Sequence, residues 1–431
     1  MDRRDFLKTT GLVAAATSLG GISSGGNNAQ GNGASAMRRN FKEVGLLGYG
    51  CMRWPKVEGK DGKQIIDQEE VNRLVDEAIA NGVNYFDVAP VYLGGECERA
   101  TAEALSRHPR SEWLLATKLS NFSNWTYDDS VKMYRRSLEI FKTDHIDYYL
   151  LHSISGRKSF DTRFGDTGIM DFLLKERSAG HICNLGFSFH GDAAGMEELL
   201  ALHDKYHWDF IQIQMNYLDW KVEDVACQLY EAVTAKGIPV IVMEPLRGGA
   251  LASIPAVLAT ELKAADPDKS VASWAFRFAG SFPNVLTVLS GMTYREHLQD
   301  NLNTFCGFKP LTGSEFELLE HIAEEISRPP LIRCTACHYC MPCQFGIDIP
   351  GIFKFYNDRV NEGSYLITKE QKDYARQRRR FLASYDKAVG TLSQADHCIA
   401  CGLCAKACPQ RIPIPTELRK IDEYIENLKR G

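Results

Sequence analysis

Four cysteines fall within ten residues in CTACHYCMPC, at Cys334, Cys337, Cys340 and Cys343. A second run, CIACGLCAKACP, places Cys398, Cys401, Cys404 and Cys408 just before Pro409. Thiolates are soft metal ligands, and at two-residue intervals they can close around one metal centre while backbone N–H groups turn toward the sulfurs. Spacing leaves two metals in competition: paired C-x2-C suits tetrahedral zinc, and a C-x2-C-x2-C triplet suits iron–sulfur. Different chemistry stands far upstream. FDVAPVY carries Asp87 and Tyr92, ATK carries Lys118, and DYYLLH carries His152. Three of these residues end apolar runs, where a charged or titratable group is expensive unless it is paired or used. A carboxylate, an ammonium, a phenol and an imidazole brought together can pass a proton to or from an oxygen.

The elements that must position them are eight short apolar runs: VGLLGYG (44–50), VNYFDVA (83–89), WLLATKL (113–119), IDYYLLH (146–152), ICNLGFSF (182–189), FIQIQMNY (210–217), PVIVMEPL (239–246) and VLTVLSG (285–291). They lack polar alternation, as strands buried on both faces do. Amphipathic segments such as EEVNRLVDEAIANG and VACQLYEAVTAKG lie between them, several ending in Gly, a helix stop. Eight strands alternating with helices predict an α/β fold, a (β/α)8 TIM barrel. A doubly wound sheet is the alternative, and the absence of G-x-G-x-x-G after the first strand counts against it. Active sites of such barrels form at the C-terminal strand ends, where Asp87, Lys118 and His152 fall.

FDVAPVY, ATK, DYYLLH, LGFSFHG, QIQMNYLD and MEPLRGG stand in the order and spacing of the aldo-keto reductase superfamily, which the chain resembles from about residue 40 to 310. The resemblance implies a catalytic tetrad on Asp87, Tyr92, Lys118 and His152. In that reading Tyr92 is general acid in carbonyl reduction and general base in alcohol oxidation. Lys118 lowers its pKa from the ordinary value near 10, Asp87 positions Lys118, and His152 orients the carbonyl. It also implies NAD(H) or NADP(H) across the top of strands five to eight, near Gly50 and Met52 of the first strand end. Ser188 and Gln214 would hold the carboxamide. Met243 stands where the family stacks an aromatic ring, and Asn301 where it contacts adenine. The usual basic pair for the 2′-phosphate falls on Gly291 and His297, with Arg295 close by, so NAD versus NADP stays open. Trp54 and the loop GRKSFDTRFGDTG (156–168) are expected to border the pocket. The substrate implied is a small carbonyl or alcohol.

The second cysteine run has the C-x2-C-x2-C-x3-C-P spacing of bacterial ferredoxins, whose fourth cysteine ligates the other [4Fe–4S] cluster of a pair. The first run is one residue shorter before its fourth cysteine, with Pro342 ahead of Cys343. The tail therefore resembles a two-cluster ferredoxin-type module, mainly helical, with a helical insert between its halves. That resemblance implies one cluster on Cys334, Cys337, Cys340 and Cys408, and another on Cys398, Cys401, Cys404 and Cys343. The remaining cysteines, Cys51, Cys97, Cys183, Cys227 and Cys306, read as buried apolar residues.

At the other end, MDRRDFLKTTGLVAAATSLGG resembles a twin-arginine export signal, with Asp2 where Ser or Thr usually precedes the arginine pair. A disordered basic tail is the alternative. The run is too short and too rich in small residues to span a membrane, and ASAM places a cleavage site after Ala36. Export of a folded protein to the periplasm or cell envelope suits a cluster loaded in the cytoplasm; an unused signal leaves the protein cytoplasmic. A net charge of −5 without a basic, aromatic-rich stretch excludes a nucleic-acid footprint, and RQRRR reads as a solvated helix face. The expected domains are a signal (1–36), a barrel (37–312) and a cluster-bearing unit (313–431).

Three functions compete. One is a nicotinamide-dependent carbonyl reductase. Another is an exported dehydrogenase passing electrons between an alcohol or sugar and a redox partner through the clusters. The last is a non-catalytic binding barrel with structural clusters. Hydride transfer moves two electrons and a cluster moves one, and no flavin motif links them.

Overall fold

The computed structural model describes residues 44–60, 62–122, 126–222, 224–327, 331–365 and 373–430. The expected signal lies outside them. All eight apolar runs form strands: β1 Leu47–Gly50, β2 Tyr85–Asp87, β3 Leu114–Leu119, β4 Ile146–Ile154, β5 Ile182–Phe189, β6 Phe210–Gln214, β7 Val240–Met243 and β8 Val285–Ser290. They pair in parallel in sequence order, and β1 pairs with both β8 and β2 to close the barrel.

Alternation along each strand decides what faces the axis. Tyr85, Leu114, Ala116, Tyr148, Leu150, Phe210, Ile241 and Leu289 form the packed interior of the barrel. Two residues beyond Tyr85 on the same face comes Asp87, two beyond Ala116 comes Lys118, and two beyond Leu150 comes His152. The polar layer therefore rests on an apolar plug that excludes water beneath it. Helices wrap the outside with their apolar stripes inward. Gln68–Ala80, for example, starts at Asp67, whose side chain accepts from Glu70 N–H, and it buries Val71, Leu74, Val75 and Ala78.

Helix Gly313–Ser327 buries Leu319, Ile322, Ala323 and Ile326 against the barrel's outer core. The packed barrel unit thus runs past the sequence-drawn boundary at 312. The tail beyond it builds a second core from helices Ile349–Asn361, Tyr374–Ala388 and Ile414–Arg430. The last of these is strongly amphipathic, burying Ile414, Leu418, Ile421, Ile425 and Leu428 at helical spacing. Arg376, Arg379 and Arg380 of the RQRRR run lie exposed on the middle helix. Among the described residues no helix is long and apolar enough to cross a membrane.

The tail sits on the C-terminal mouth of the barrel. Arg53 Nη2 donates to Thr335 O at 3.0 Å, and Arg411 pairs with Asp192 at 3.1 Å. Gly248 marks a close approach. It has φ +68°, and a Cβ there would come within 2.4 Å of Thr335 O.

Candidate active site

The four sequence-selected residues meet at the mouth. Lys118 Nζ donates to Asp87 Oδ1 at 2.5 Å and to Val88 O at 2.7 Å, and all but about 1% of Lys118 is buried. Tyr92 follows β2 by a short turn, and its ring lies under the Lys118 ammonium, 4.8 Å from Nζ to the centroid. The His152 ring stands edge-on to that of Tyr92, centroids 5.6 Å apart. Burial, then Tyr339 and Asp87, push the Tyr92 hydroxyl well above the ordinary phenol value. The net shift is upward, against the lowering expected from Lys118, two of whose donors go to Asp87 and Val88.

His152 Nδ1 lies 2.6 Å from Ser120 Oγ. Burial, then the charges of Lys118, His190 and Arg163, hold the imidazole well below its ordinary value, so it is neutral at pH 7. With Ser120 donating to Nδ1, Nε2 carries the proton and faces the pocket. Arg163 fixes this corner. It donates to the backbone oxygens of Asn121, His152 and Ser153 at 2.7–3.0 Å. Arg163 comes from the GRKSFDTRFGDTG loop, which braces the pocket from behind; none of its residues lines the cavity. We expect Arg163→Ala to raise the pKa of His152, since a nearby positive charge is lost, and to raise KM through the loosened strand end. NMR titration of His152 beside steady-state kinetics checks both.

Gly50, Met52, Ser188 and Met243 line the same cavity, as expected, together with Arg53, Glu244 and Gln212. Gln214 does not. It points up into the tail, where it exchanges hydrogen bonds with Gln410 at 2.8 and 3.2 Å and donates to Asp219 at 2.6 Å. The residue beside Ser188 is Gln212, its register partner on the next strand. Gln212 Oε1 is buried and has no hydrogen-bond partner among the described residues. A buried acceptor without a partner, next to a serine on the neighbouring strand, offers the groups a carboxamide needs, and Gln212 rather than Gln214 lines this cavity. Both glutamines share one face of β6, and only depth in the barrel separates them.

A neighbouring cleft holds Asn301, which donates to Ser290 Oγ at 2.6 Å. Gly291, His297, Glu296 and Asp300 also line it. Arg295 is committed elsewhere, with Nε 2.8 Å from Glu77 Oε2. Trp54 is not a pocket residue: it is buried, donates to Thr101 and packs on Tyr49. Cys183 and Cys306 are exposed, against the expectation that the lone cysteines are all buried.

In the tail, Cys408 bears on the thiols of Cys334, Cys337 and Cys340, raising each, and burial pushes Cys334 up to about 11 and Cys340 up to about 12. Cys398 and Cys401 act likewise on Cys404. Buried thiols of raised pKa, as at Cys334, Cys337 and Cys340, become thiolates only when a cation compensates them, so this donor set fits a metal centre. Among the described residues, no three of these sulfurs lie within 4.8 Å of one another. A single zinc ion with Zn–S bonds near 2.3 Å would hold its sulfurs about 3.8 Å apart. The sulfurs are not grouped that tightly. The one group that does lie within 4.8 Å, His145, Asp147 and Cys183, is filled by Arg110, whose Nη2 donates to Asp147 at 2.5 Å.

The Aldo/keto reductase family profile matches residues 46–324. A 4Fe-4S dicluster domain profile matches 333–413, and the twin-arginine translocation signal profile matches 1–20. Curated relatives include the uncharacterized oxidoreductase YqkF of Bacillus subtilis (strain 168), 24% identical over 66% of this chain and 94% of that protein. L-galactose dehydrogenase of Arabidopsis thaliana is 24% identical over 67% of this chain and 92% of the relative. Among solved structures, a holo aldo-keto reductase from Bacillus halodurans superposes with TM-score 0.51 at 22% identity, over 65% of this chain and 92% of the other. An aldo/keto reductase from Klebsiella pneumoniae, in complex with NADP and acetate, gives TM-score 0.52 at 20% identity over 65% and 92%. These likenesses speak for the fold, and the profile spans nearly the whole barrel: the chain belongs to the aldo/keto reductase family, as an oxidoreductase barrel joined to a 4Fe-4S dicluster domain.

Proposed function

We propose that the barrel reduces a small carbonyl compound to an alcohol, and runs the reverse reaction, with a nicotinamide dinucleotide as hydride carrier. The observation that carries this reading is the meeting of Asp87, Lys118, Tyr92 and His152 in one pocket beside Ser188 and Gln212. The nicotinamide, when bound, supplies or accepts the hydride. Ser188 and Gln212 would hold its carboxamide, Met243 would pack on the ring, and Asn301 would lie on the adenine side. Glu296 and Asp300 line that side beside Arg53 and His297, while Arg295 serves Glu77, so the choice between NAD(H) and NADP(H) stays open.

The rest falls to the chain. His152 Nε2–H donates to the carbonyl oxygen and fixes its approach. Tyr92, protonated at neutral pH, gives its proton to the developing alkoxide and recovers it in oxidation. Lys118, anchored by Asp87, lies over the ring and stabilises the phenolate left behind.

The tail would hold two [4Fe–4S] clusters, on Cys334, Cys337, Cys340 and Cys408, and on Cys398, Cys401, Cys404 and Cys343. Such clusters carry single electrons and give a domain its fold. One observation favours the electron-transfer reading beside the first: Cys337 lines the same cavity as Tyr92 and His152. The twin-arginine signal points to export of the folded, loaded protein, where a redox partner would replace a diffusing nicotinamide pool. The swapped ligation predicts that Cys408→Ser alters the electron paramagnetic resonance of the cluster on the first run and lowers iron by about half. A spectrum changed only at the second run would reject the swap. The function itself is tested with anaerobic, iron-loaded protein and a panel of aldehydes. Consumption of NADH or NADPH is expected, and no consumption of either dinucleotide would reject the reading.

A further inference from the structure

Tyr339 belongs to the tail, between Cys337 and Cys340, yet its side chain enters the barrel. Its hydroxyl lies 3.3 Å from His152 Nε2. Its ring packs on Phe122, centroids 5.8 Å apart, which fixes the direction of the phenol. The loop that delivers it is held in an uncommon shape, with Ala336 at φ +49° and His338 at φ +63° on either side of Cys337. Such residues persist only where their surroundings over-determine them. Here Arg53 binds Thr335 O and Gly248 leaves room for the Thr335 backbone. Polar and apolar groups share the Tyr339 cavity with the four catalytic candidates: Arg53, His190, Glu244 and Gln410 beside Met243 and Leu289. A cavity so lined offers polar partners to a hydroxyl group on its ligand.

We infer that Tyr339 is a substrate-positioning and specificity-determining residue, hydrogen-bonding a hydroxyl on the carbon next to the reacting carbonyl, so that the preferred substrate class is 2-hydroxy aldehydes and ketones. The inference rests on the carbonyl-reductase reading above. When the carbonyl oxygen takes its hydrogen bond from His152 Nε2, an oxygen on the adjacent carbon lies beside it, within reach of the Tyr339 hydroxyl. Tyr339 has no such neighbour in a substrate lacking that hydroxyl. The first cysteine run then has a structural consequence for catalysis: its loop carries one wall of the specificity pocket.

The test uses the full, iron-loaded chain and the Tyr339→Phe variant, which keeps the ring on Phe122. Two readouts are taken. The first is KM and kcat for 2-hydroxypropanal and propanal. The second is equilibrium binding of the unreactive pair 2-hydroxypropanoate and propanoate, which needs no turnover. We expect the wild type to favour the hydroxylated member of each pair, and the variant to lose about tenfold of that preference. The loss should fall in KM for 2-hydroxypropanal, with iron content kept. A preference equal in both proteins, whether the overall rates rise, fall or stay, would overturn the inference. If neither aldehyde is reduced by wild type, the carbonyl-reductase reading fails, while the carboxylate pair still reports on Tyr339.

Discussion

Tyr92→Phe lowers the rate of carbonyl reduction by about 10²–10⁴-fold and leaves dinucleotide binding and iron content unchanged. The expectation follows from what the substitution removes. Phenylalanine keeps the ring under the Lys118 ammonium and edge-on to His152, so the packing of the pocket survives. Only the hydroxyl is lost, and with it the proton for the alkoxide. The raised pKa of Tyr92 adds a sign to the pH dependence. The acid form is the proton donor, so reduction should persist as pH rises until Tyr92 ionises, above the ordinary phenol range. Oxidation, which needs the base form, should gain with rising pH. Steady-state rates in both directions across pH check the pair. Reduction by Tyr92→Phe at near wild-type rate would mean that the proton comes from elsewhere.

Lys118→Met is the second large effect, and it falls on stability as well as rate. Lys118 and Asp87 are a buried pair sealed above the apolar plug of the barrel. Removing the cation leaves a carboxylate whose remaining neighbour is Gln212 Nε2 at 3.5 Å. Breaking such a pair costs about 3–5 kcal/mol, mostly for the stranded charge. The double variant Asp87→Asn with Lys118→Met strands no charge and should recover much of that loss, although it recovers no activity. Denaturant midpoints of the three proteins separate the two contributions. Equal stability of the single and double variants would contradict the assignment of an ion pair here. The sign with pH is fixed too. Burial raises the Asp87 carboxyl, so protonation of a stranded Asp87 relieves the single variant and its deficit should shrink as pH falls.

Why some of this was legible in the sequence and some was not follows from the range of the interactions. Each strand was bounded by apolar character, which is local, and the tetrad could be placed because a polar residue ending an apolar run is itself a local anomaly. That Gln212 and not Gln214 lines the cavity has a different source. Alternation puts both on the inner face of β6, and one residue pair of depth decides which meets Ser188 and which meets the tail. No local pattern encodes that depth. Trp54 looked like a pocket residue because it follows the first strand, but its indole finds Thr101 and Tyr49 in the core. Tyr339 and Gln410 were missed outright. Their role arises from contact between segments nearly 200 residues apart, with |i−j| of 187 for Tyr339 to His152 and 196 for Gln410 to Gln214. In the sequence they are spacers among cysteines, and the cysteines absorb the attention. The upward net shift of Tyr92 belongs to the same class, since it comes from burial first and then from Tyr339 of the tail.

The central claim is that hydride chemistry takes place in the barrel, under the tail, with Tyr92 supplying the proton. The most direct test is a single turnover of iron-loaded protein under argon with a 2-hydroxy aldehyde and NADH bearing deuterium at the transferable position. The account predicts one deuterium per alcohol, carried on the former carbonyl carbon, with the visible spectrum of the clusters unchanged through the turnover. Alcohol formed without deuterium while the clusters bleach and recover would contradict it, and would make the tail the electron source.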